Sequence, residues 1–221
     1  MNMGMRLMAS SITKSYGTRN IINNCSYSFD GNAVYVIMGN NGAGKSTLLR
    51  MCSLLEAPDS GEIIYMQGDS PVPQNIHLKR RITMVLPETG VFNSSVFDNV
   101  AYGLKVRGIS RRNTEIAVRN ALDFVGLGEI RGQAALSLST GEKKRLGIAR
   151  ALAVNPEVLF LDEPTASVDQ DNIEIIESIL LELKSKKGTM IIITTHDSGH
   201  AEKLADIRLT LENGKLSDLG A

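Results

Sequence analysis

The sequence predicts an α/β fold: a mainly parallel sheet, an N-terminal antiparallel β-subdomain and an inserted helical subdomain. Three observations predict it. An apolar run, Val34 to Met38, leads directly into Gly39-Asn40-Asn41-Gly42-Ala43-Gly44-Lys45-Ser46-Thr47 and then into a helical pattern. After Asn155-Pro156, short apolar runs alternate with helical stretches, as in a parallel sheet covered on both faces. Between these regions, residues 90–154 carry helical periodicity and few strand signals.

Element by element, Met5–Ser15 and Ile21–Phe29 read as strands separated by the turn Tyr16-Gly17-Thr18. Val34–Met38 is a buried strand and Lys45–Leu54 the helix after the glycine loop. Ala57-Pro58-Asp59-Ser60-Gly61 breaks the chain, and strands resume at Glu62–Met66 and Ile82–Leu86. Ser95–Val106, Arg111–Val125 and Gly141–Val154 are helical by period, with Ser110 a candidate N-cap. Then follow strand Val158–Asp162, helix Gln170–Lys186, strand Met190–Thr195, helix Gly199–Ala205 and strand Ile207–Glu212. Asn213-Gly214 turns into a short final strand. The expected organisation is one domain over 1–221, with its core in 1–89 and 155–221 and the helical subdomain in 90–154.

A chain of 221 residues can bury a sizeable core, and its 22% charged and 43% hydrophobic content is that of an ordinary globular protein. The formal net charge of zero argues against a nucleic-acid partner held by a broad basic surface. Lys79-Arg80-Arg81, Arg111-Arg112 and Lys143-Lys144-Arg145 are short clusters and read as solvated helix faces. Cys25 and Cys52 have no paired spacing, which predicts reduced thiols in a cytosolic protein. No apolar run approaches the roughly 20 residues that span a bilayer. Met1 to Met8 lacks the apolar region of a signal peptide. The expectation is a protein soluble by itself, which leaves docking onto a membrane protein open.

The glycine loop matches G-x-x-x-x-G-K-[ST] in the order strand, loop, helix, the context that gives the pattern physical meaning. Glycines let the backbone wrap tightly, so N–H groups converge on phosphates at the positive end of a helix. Lys45 would reach the β- and γ-phosphates, and Ser46 would ligate Mg²⁺. Downstream, Val158-Leu159-Phe160-Leu161 precedes Asp162-Glu163: an apolar central strand ending in two carboxylates, at the end where open α/β sheets bind ligands. Asp162 would hold Mg²⁺ and Glu163 would act as general base toward water.

Between these motifs lies Leu138-Ser139-Thr140-Gly141-Glu142, followed by Lys143-Lys144-Arg145 and Gly147-Ile148-Ala149-Arg150-Ala151-Leu152. This stretch resembles the signature motif of the ATP-binding cassette (ABC) family, usually Leu-Ser-Gly-Gly-Gln. The resemblance runs from Leu7 to Leu216. It implies a P-loop NTPase core of RecA-like type, with ATP and Mg²⁺ as ligand and cofactor. Tyr16 lies where the family's adenine-stacking aromatic lies, the alternative being a core or turn tyrosine. Ser139, Gly141 and Glu142 would face the γ-phosphate of ATP held by a second copy. Ser139 and Glu142 also fit a capping box, and both readings are compatible. Ser167-Val168-Asp169 resembles the loop after the catalytic glutamate, with Asp169 acting across a dimer or capping a helix. His196 in Thr195-His196-Asp197 resembles the switch histidine that contacts the γ-phosphate.

The chain departs from the family at Pro87, where a metal-contacting glutamine is usual. Proline has neither side-chain amide nor N–H. Adjacent Glu88 is the candidate replacement as metal ligand, against a plain surface acid. Thr140 replaces a usual glycine and must take an ordinary backbone conformation.

One chain holds a single copy of each motif, so the resemblance implies a homodimer with two ATP molecules at its interface. It also implies integral-membrane permease subunits and, for an importer, an extracytoplasmic solute-binding protein, with the chain cytoplasmic and peripheral on the inner face of the cell membrane. Ser95 to Gly108 and Ala201 to Asp206 resemble importers of oxyanions, of the tungstate and molybdate type. The alternative is the ATPase of an export, lipoprotein-release or cell-division complex. A soluble cassette protein acting on ribosomes or DNA fits less well, since tandem cassettes and a long coiled-coil insertion are lacking.

Overall fold

Alternation builds the first sheet of the computed structural model, which describes residues 4–186 and 188–219. In β1 (Met5–Tyr16), Met5, Leu7 and Ala9 point inward and their neighbours outward. β1 pairs antiparallel with β2 (Arg19–Phe29), Leu7 opposite Phe29, and with β4 (Ser60–Gln67), Leu7 opposite Tyr65. The register shifts past Ser11, which has φ +49, and the bulge returns Ile12 to the interior. Gly61 lies there at φ +76, where an added Cβ would strike the Ser11 carbonyl. With β5 (Ser70–Pro71) the sheet order is β2-β1-β4-β5.

The second sheet has the order β10-β9-β3-β8-β7-β6, made of β3 (Val34–Met38), β6 (Ile82–Val85), β7 (Val158–Asp162), β8 (Met190–Thr194), β9 (Ile207–Glu212) and β10 (Lys215–Asp218). β3 runs parallel to β8 and β9, and β7 parallel to β8, while β10 pairs antiparallel with β9. β3, β7 and β8 are almost wholly buried. Each large apolar side chain so buried contributes about 1.5–3 kcal/mol, which fixes the carboxyl ends where Gly39, Glu163 and Thr195 follow. α1 (Lys45–Cys52) inserts Leu48, Leu49 and Met51 into the same core. Tyr27, Phe29 and Tyr35 pack edge to face at 4.9–6.4 Å.

By internal contacts the chain divides into two compact units. The first is Met1–Met84, Glu157–Glu163 and Leu183–Ala221, which holds both sheets; the second is Val85–Pro156 and Pro164–Glu182. In the second unit α3 (Val96–Val106), α4 (Arg111–Phe124) and α5 (Thr140–Ala153) pack mutually around Val100, Leu104, Val118, Leu122, Leu146 and Ile148. Ser95 and Ser110 cap α3 and α4 by accepting the N–H groups of Asp98 and Asn113. Residues 164–182 join this helical unit rather than the sheets, a difference from the expected 90–154. The reason lies in α6 (Gln170–Lys186): its Asn172 side chain lies against the Cα of Gly141, where any Cβ would collide.

Element ends differ slightly from expectation. The first helix stops at Cys52 because Leu54 turns left-handed at φ +60. α2 (Ile76–Lys79), capped by Asn75, is too short to show a period and was not foreseen. α7 (Ser198–Leu204) starts one residue early, capped by Asp197. Among the described residues no helix is long and apolar enough to cross a membrane.

Candidate nucleotide site

The chain leaves β3 into a loop that only glycines can make. Gly39, Gly42 and Gly44 have φ of +153°, +81° and +102°. A Cβ on Gly39 would lie 2.8 Å from the Leu211 carbonyl oxygen, and one on Gly44 would lie 2.7 Å from Ile21 Cγ2. Ala43 N–H donates to the Asn40 carbonyl and closes the turn; Asn40 and Asn41 are exposed. Gly44 is the N-cap of α1 and provides no side-chain acceptor. The first N–H groups of that helix are therefore available to an anion.

Lys45 is buried, its ammonium donating to the Gly39 carbonyl at 2.7 Å and to that of Asn40 at 3.4 Å. The same ammonium lies 3.4 Å from Glu163 Oε1. Glu163 Oε2 in turn lies 3.4 Å from Nδ1 of the exposed His196. Glu163 holds φ +47, an unusual conformation for a non-glycine residue, and its N–H bonds Thr194. Three adjacent strand ends, of β3, β8 and β7, thus bring together Lys45, His196 and Glu163, three residues distant in sequence. A cavity of about 260 Å³ is lined by Tyr16, Arg19, Lys45, Ser46, Thr47 and Glu163.

Asp162 is buried at the end of β7. Thr194 Oγ1 donates to its Oδ1 at 2.7 Å, while Oδ2 is buried with no hydrogen-bond partner among the described residues. A buried, unanswered carboxylate oxygen suits a Mg²⁺-bound water. Among the described residues no three His, Cys, Asp or Glu gather as a metal cluster.

In the helical unit, Ser139 and Glu142 make a full capping box: Glu142 N–H donates to Ser139 Oγ at 3.2 Å, and Ser139 N–H to Glu142 Oε2 at 2.8 Å. Ser139 itself is exposed, Thr140 has ordinary helical geometry and Gly141 is buried against Asn172. Asp169 accepts the Asn172 backbone N–H at 2.9 Å and its side-chain amide at 3.0 Å, the capping alternative raised above. The Asn172 N–H groups hold the Asp169 carboxyl below its ordinary pKa. The Pro87 carbonyl accepts the buried Lys144 ammonium of α5, and Glu88 is exposed.

Sequence reading missed several residues that shape these sites. Arg19 lines the cavity and donates to the Gly42 carbonyl at 3.3 Å. Thr194 positions Asp162, Asn172 covers Gly141, and Glu56 accepts the Tyr16 hydroxyl at 2.8 Å on both oxygens. None lies in a motif; only the strand pairing Asp162–Thr194 offered a signal.

Known proteins resemble this chain along most of its length. The model of the family described as ABC transporter matches residues 22–166. Over 214 residues the chain is 36% identical to the tungstate uptake system ATP-binding protein TupC of Peptoclostridium acidaminophilum, covering 97% of this chain and 98% of that protein. Among solved structures it is similar to cbiO1 of Clostridium perfringens, part of the ABC transporter complex cbiONQ. The TM-score is 0.83 with 28% identity, covering 96% of this chain and 86% of that one. The chain belongs to the ABC transporter family, as an ATP-binding subunit.

Proposed function

We propose that this chain hydrolyses ATP to drive import of a small oxyanion, of which tungstate is the first to test. The observation that carries the hydrolytic part is Glu163, held between Lys45 and His196 at the mouth of the phosphate loop. The triphosphate lies along the N–H groups of α1 with Lys45 on its β- and γ-oxygens. Asp162 and Ser46 would hold Mg²⁺, which would supply positive charge to offset that on the phosphates. Glu163 takes a proton from water as the water oxygen bonds the γ-phosphorus and the bond to the β-phosphate oxygen breaks, leaving ADP and phosphate. His196 holds the γ-phosphate during this step. Tyr16 stacks on adenine. Ser139, Gly141 and Glu142 serve the ATP of a second copy, so the working unit is a homodimer on the cytoplasmic side of a permease. Glu88 is the candidate metal contact in place of the glutamine absent at Pro87.

The cargo assignment rests on the likeness to a tungstate uptake subunit. Its test is reconstitution of the chain in vesicles with the membrane subunits that co-purify with it and with their solute-binding protein. Tungstate should stimulate ATP hydrolysis several-fold above sulfate or phosphate. Equal rates with and without all three oxyanions would overturn the cargo, and absence of Mg²⁺-dependent hydrolysis by the chain would overturn the enzymatic reading.

A further inference from the structure

Tyr16 does not stand alone at the edge of the cavity. Its hydroxyl donates to both carboxylate oxygens of Glu56, at 2.8 Å each, across 40 residues of sequence. Glu56 follows the left-handed turn at Leu54, where its N–H and that of Leu55 return to the Arg50 carbonyl, so its backbone is tied to the last turn of α1. Lys14 completes the cluster. Its ammonium lies 3.2 Å from Glu56 Oε1 and 3.0 Å from Asp59 Oδ1, donates to the Ala57 carbonyl at 3.0 Å, and stands 5.8 Å from the centre of the Tyr16 ring. Asp59 accepts the Ser15 N–H at 2.8 Å, and its own N–H donates to the Thr13 carbonyl. Every residue from Thr13 to Tyr16 is thereby fastened to the segment 56–59.

The arrangement has a physical purpose that burial does not supply. Tyr16 is 47% exposed, so packing alone leaves its ring free to change rotamer. A stacking surface that must first be ordered loses affinity by the ordering cost. A hydrogen bond from the far end of the ring to a carboxylate removes that freedom while leaving the ring face open. The carboxylate is itself held: partial burial pushes the Glu56 carboxyl up, but the Tyr16 hydroxyl and the Lys14 ammonium outweigh it and keep its pKa below the ordinary glutamate value. The helix that presents N–H groups to the phosphates therefore also anchors, at its other end, the ring that meets the base.

We propose that Glu56 is a positioning residue for the base of the nucleotide: by tethering the Tyr16 hydroxyl it fixes the ring in the orientation that stacks on adenine. This rests on the reading of Tyr16 given under Proposed function and adds to it a residue outside every nucleotide motif.

The test compares two probes on the intact chain by calorimetry without Mg²⁺, so that no turnover occurs: ATP, and inorganic tripolyphosphate, which has no base. Glu56→Ala should weaken ATP about threefold to tenfold, the worth of one such hydrogen bond, and leave tripolyphosphate unchanged. Tyr16→Phe, which keeps the ring and loses the hydroxyl, should weaken ATP by the same factor. The double variant should be no weaker than either single one, since both remove the same bond. Glu56→Gln retains an acceptor and should restore ATP binding. Three results overturn the proposal: Glu56→Ala weakening both probes equally, additive losses in the double variant, or an unchanged ATP affinity in Glu56→Ala beside a weakened one in Tyr16→Ala. If Tyr16→Ala leaves the ratio of the two affinities unchanged, the stacking role of Tyr16 falls as well, and the proposal with it.

Discussion

The ammonium of Lys45 lies 3.4 Å from the carboxylate of Glu163, an ion pair whose two members line the same cavity. Lys45 is buried, and a buried charge needs an opposite one. An incoming triphosphate must take Lys45 from Glu163, and the carboxylate then also faces like charge. Glu163→Gln should therefore bind ATP more tightly, by about fivefold for a pair worth roughly 1 kcal/mol. Its turnover should fall about 10²–10⁴-fold through loss of the base. Calorimetry and a phosphate-release assay on the same preparation check both; weaker ATP binding would show that the pair does not compete with phosphate.

Thr194 should matter to metal-dependent hydrolysis although it reaches no nucleotide. Its hydroxyl donates to Asp162 Oδ1, and so orients Oδ2. Thr194→Val keeps the shape and removes both the donor to Asp162 and a side-chain acceptor of the Glu163 N–H, which keeps its bond to the Thr194 carbonyl. The loss of a buried bond should cost about 1–3 kcal/mol of stability. Loss of an outer partner of a metal ligand should lower Mg²⁺-dependent turnover about 10–100-fold, with metal-free ATP binding unchanged. A Mg²⁺ titration of the hydrolysis rate separates the two effects.

Much of this was legible in the sequence for a simple reason: the strands that matter are fully buried and therefore read as continuous apolar runs. Val34–Met38, Val158–Asp162 and Met190–Thr194 agree with the expected strands within a residue, and Lys45, Glu163 and His196 follow their ends. What local pattern cannot reveal is which distant segments meet. Glu56 and Tyr16 are joined by a loop return after α1, and Asn172 reaches Gly141 only because α6 begins in the helical unit. The grouping of residues 164–182 was missed for the same reason. α2 escaped because four residues carry no period.

Gly141 is fixed by Asn172 as much as by any nucleotide. A Cβ at Gly141 would overlap the Asn172 side chain, which also bonds Asp169 through its amide. Gly141→Ala should force Asn172 aside and cost about 1–3 kcal/mol, the usual range for overpacking. Adding Asn172→Ala should recover most of that stability in a thermal melt. If ATP-dependent dimerisation of Glu163→Gln protein is lost in Gly141→Ala and returns with the second substitution, the defect is steric. If stability returns without dimerisation, the glycine is needed at the nucleotide itself.

Asp197 ties the position of His196 to acid stability. Its Oδ1 accepts the N–H groups of Gly199 at 2.8 Å and His200 at 3.1 Å, capping α7, and its own N–H donates to Thr195 Oγ1. The His200 N–H is the main cause holding its carboxyl below the ordinary aspartate value of 3.8; partial burial opposes it, and the charge of His200, the Gly199 N–H and the charge of His196 assist. A carboxyl whose pKa is lower folded than unfolded binds its proton more readily in the unfolded chain. Its contribution is therefore complete above pH 3.8 and declines as pH falls through the lower, folded value. Asp197→Ala should cost about 0.5–2 kcal/mol at neutral pH, as other lost caps do. Chemical unfolding followed from neutral pH into acid should show the gap between the wild-type chain and this variant constant down to about pH 3.8, narrowing from there to the lower, folded value and changing no further below it. A gap that stays constant throughout would mean the cap acts through geometry and not charge. Because His196 immediately precedes the cap, the same substitution should loosen its approach to Glu163 Oε2 and lower turnover while ATP affinity holds.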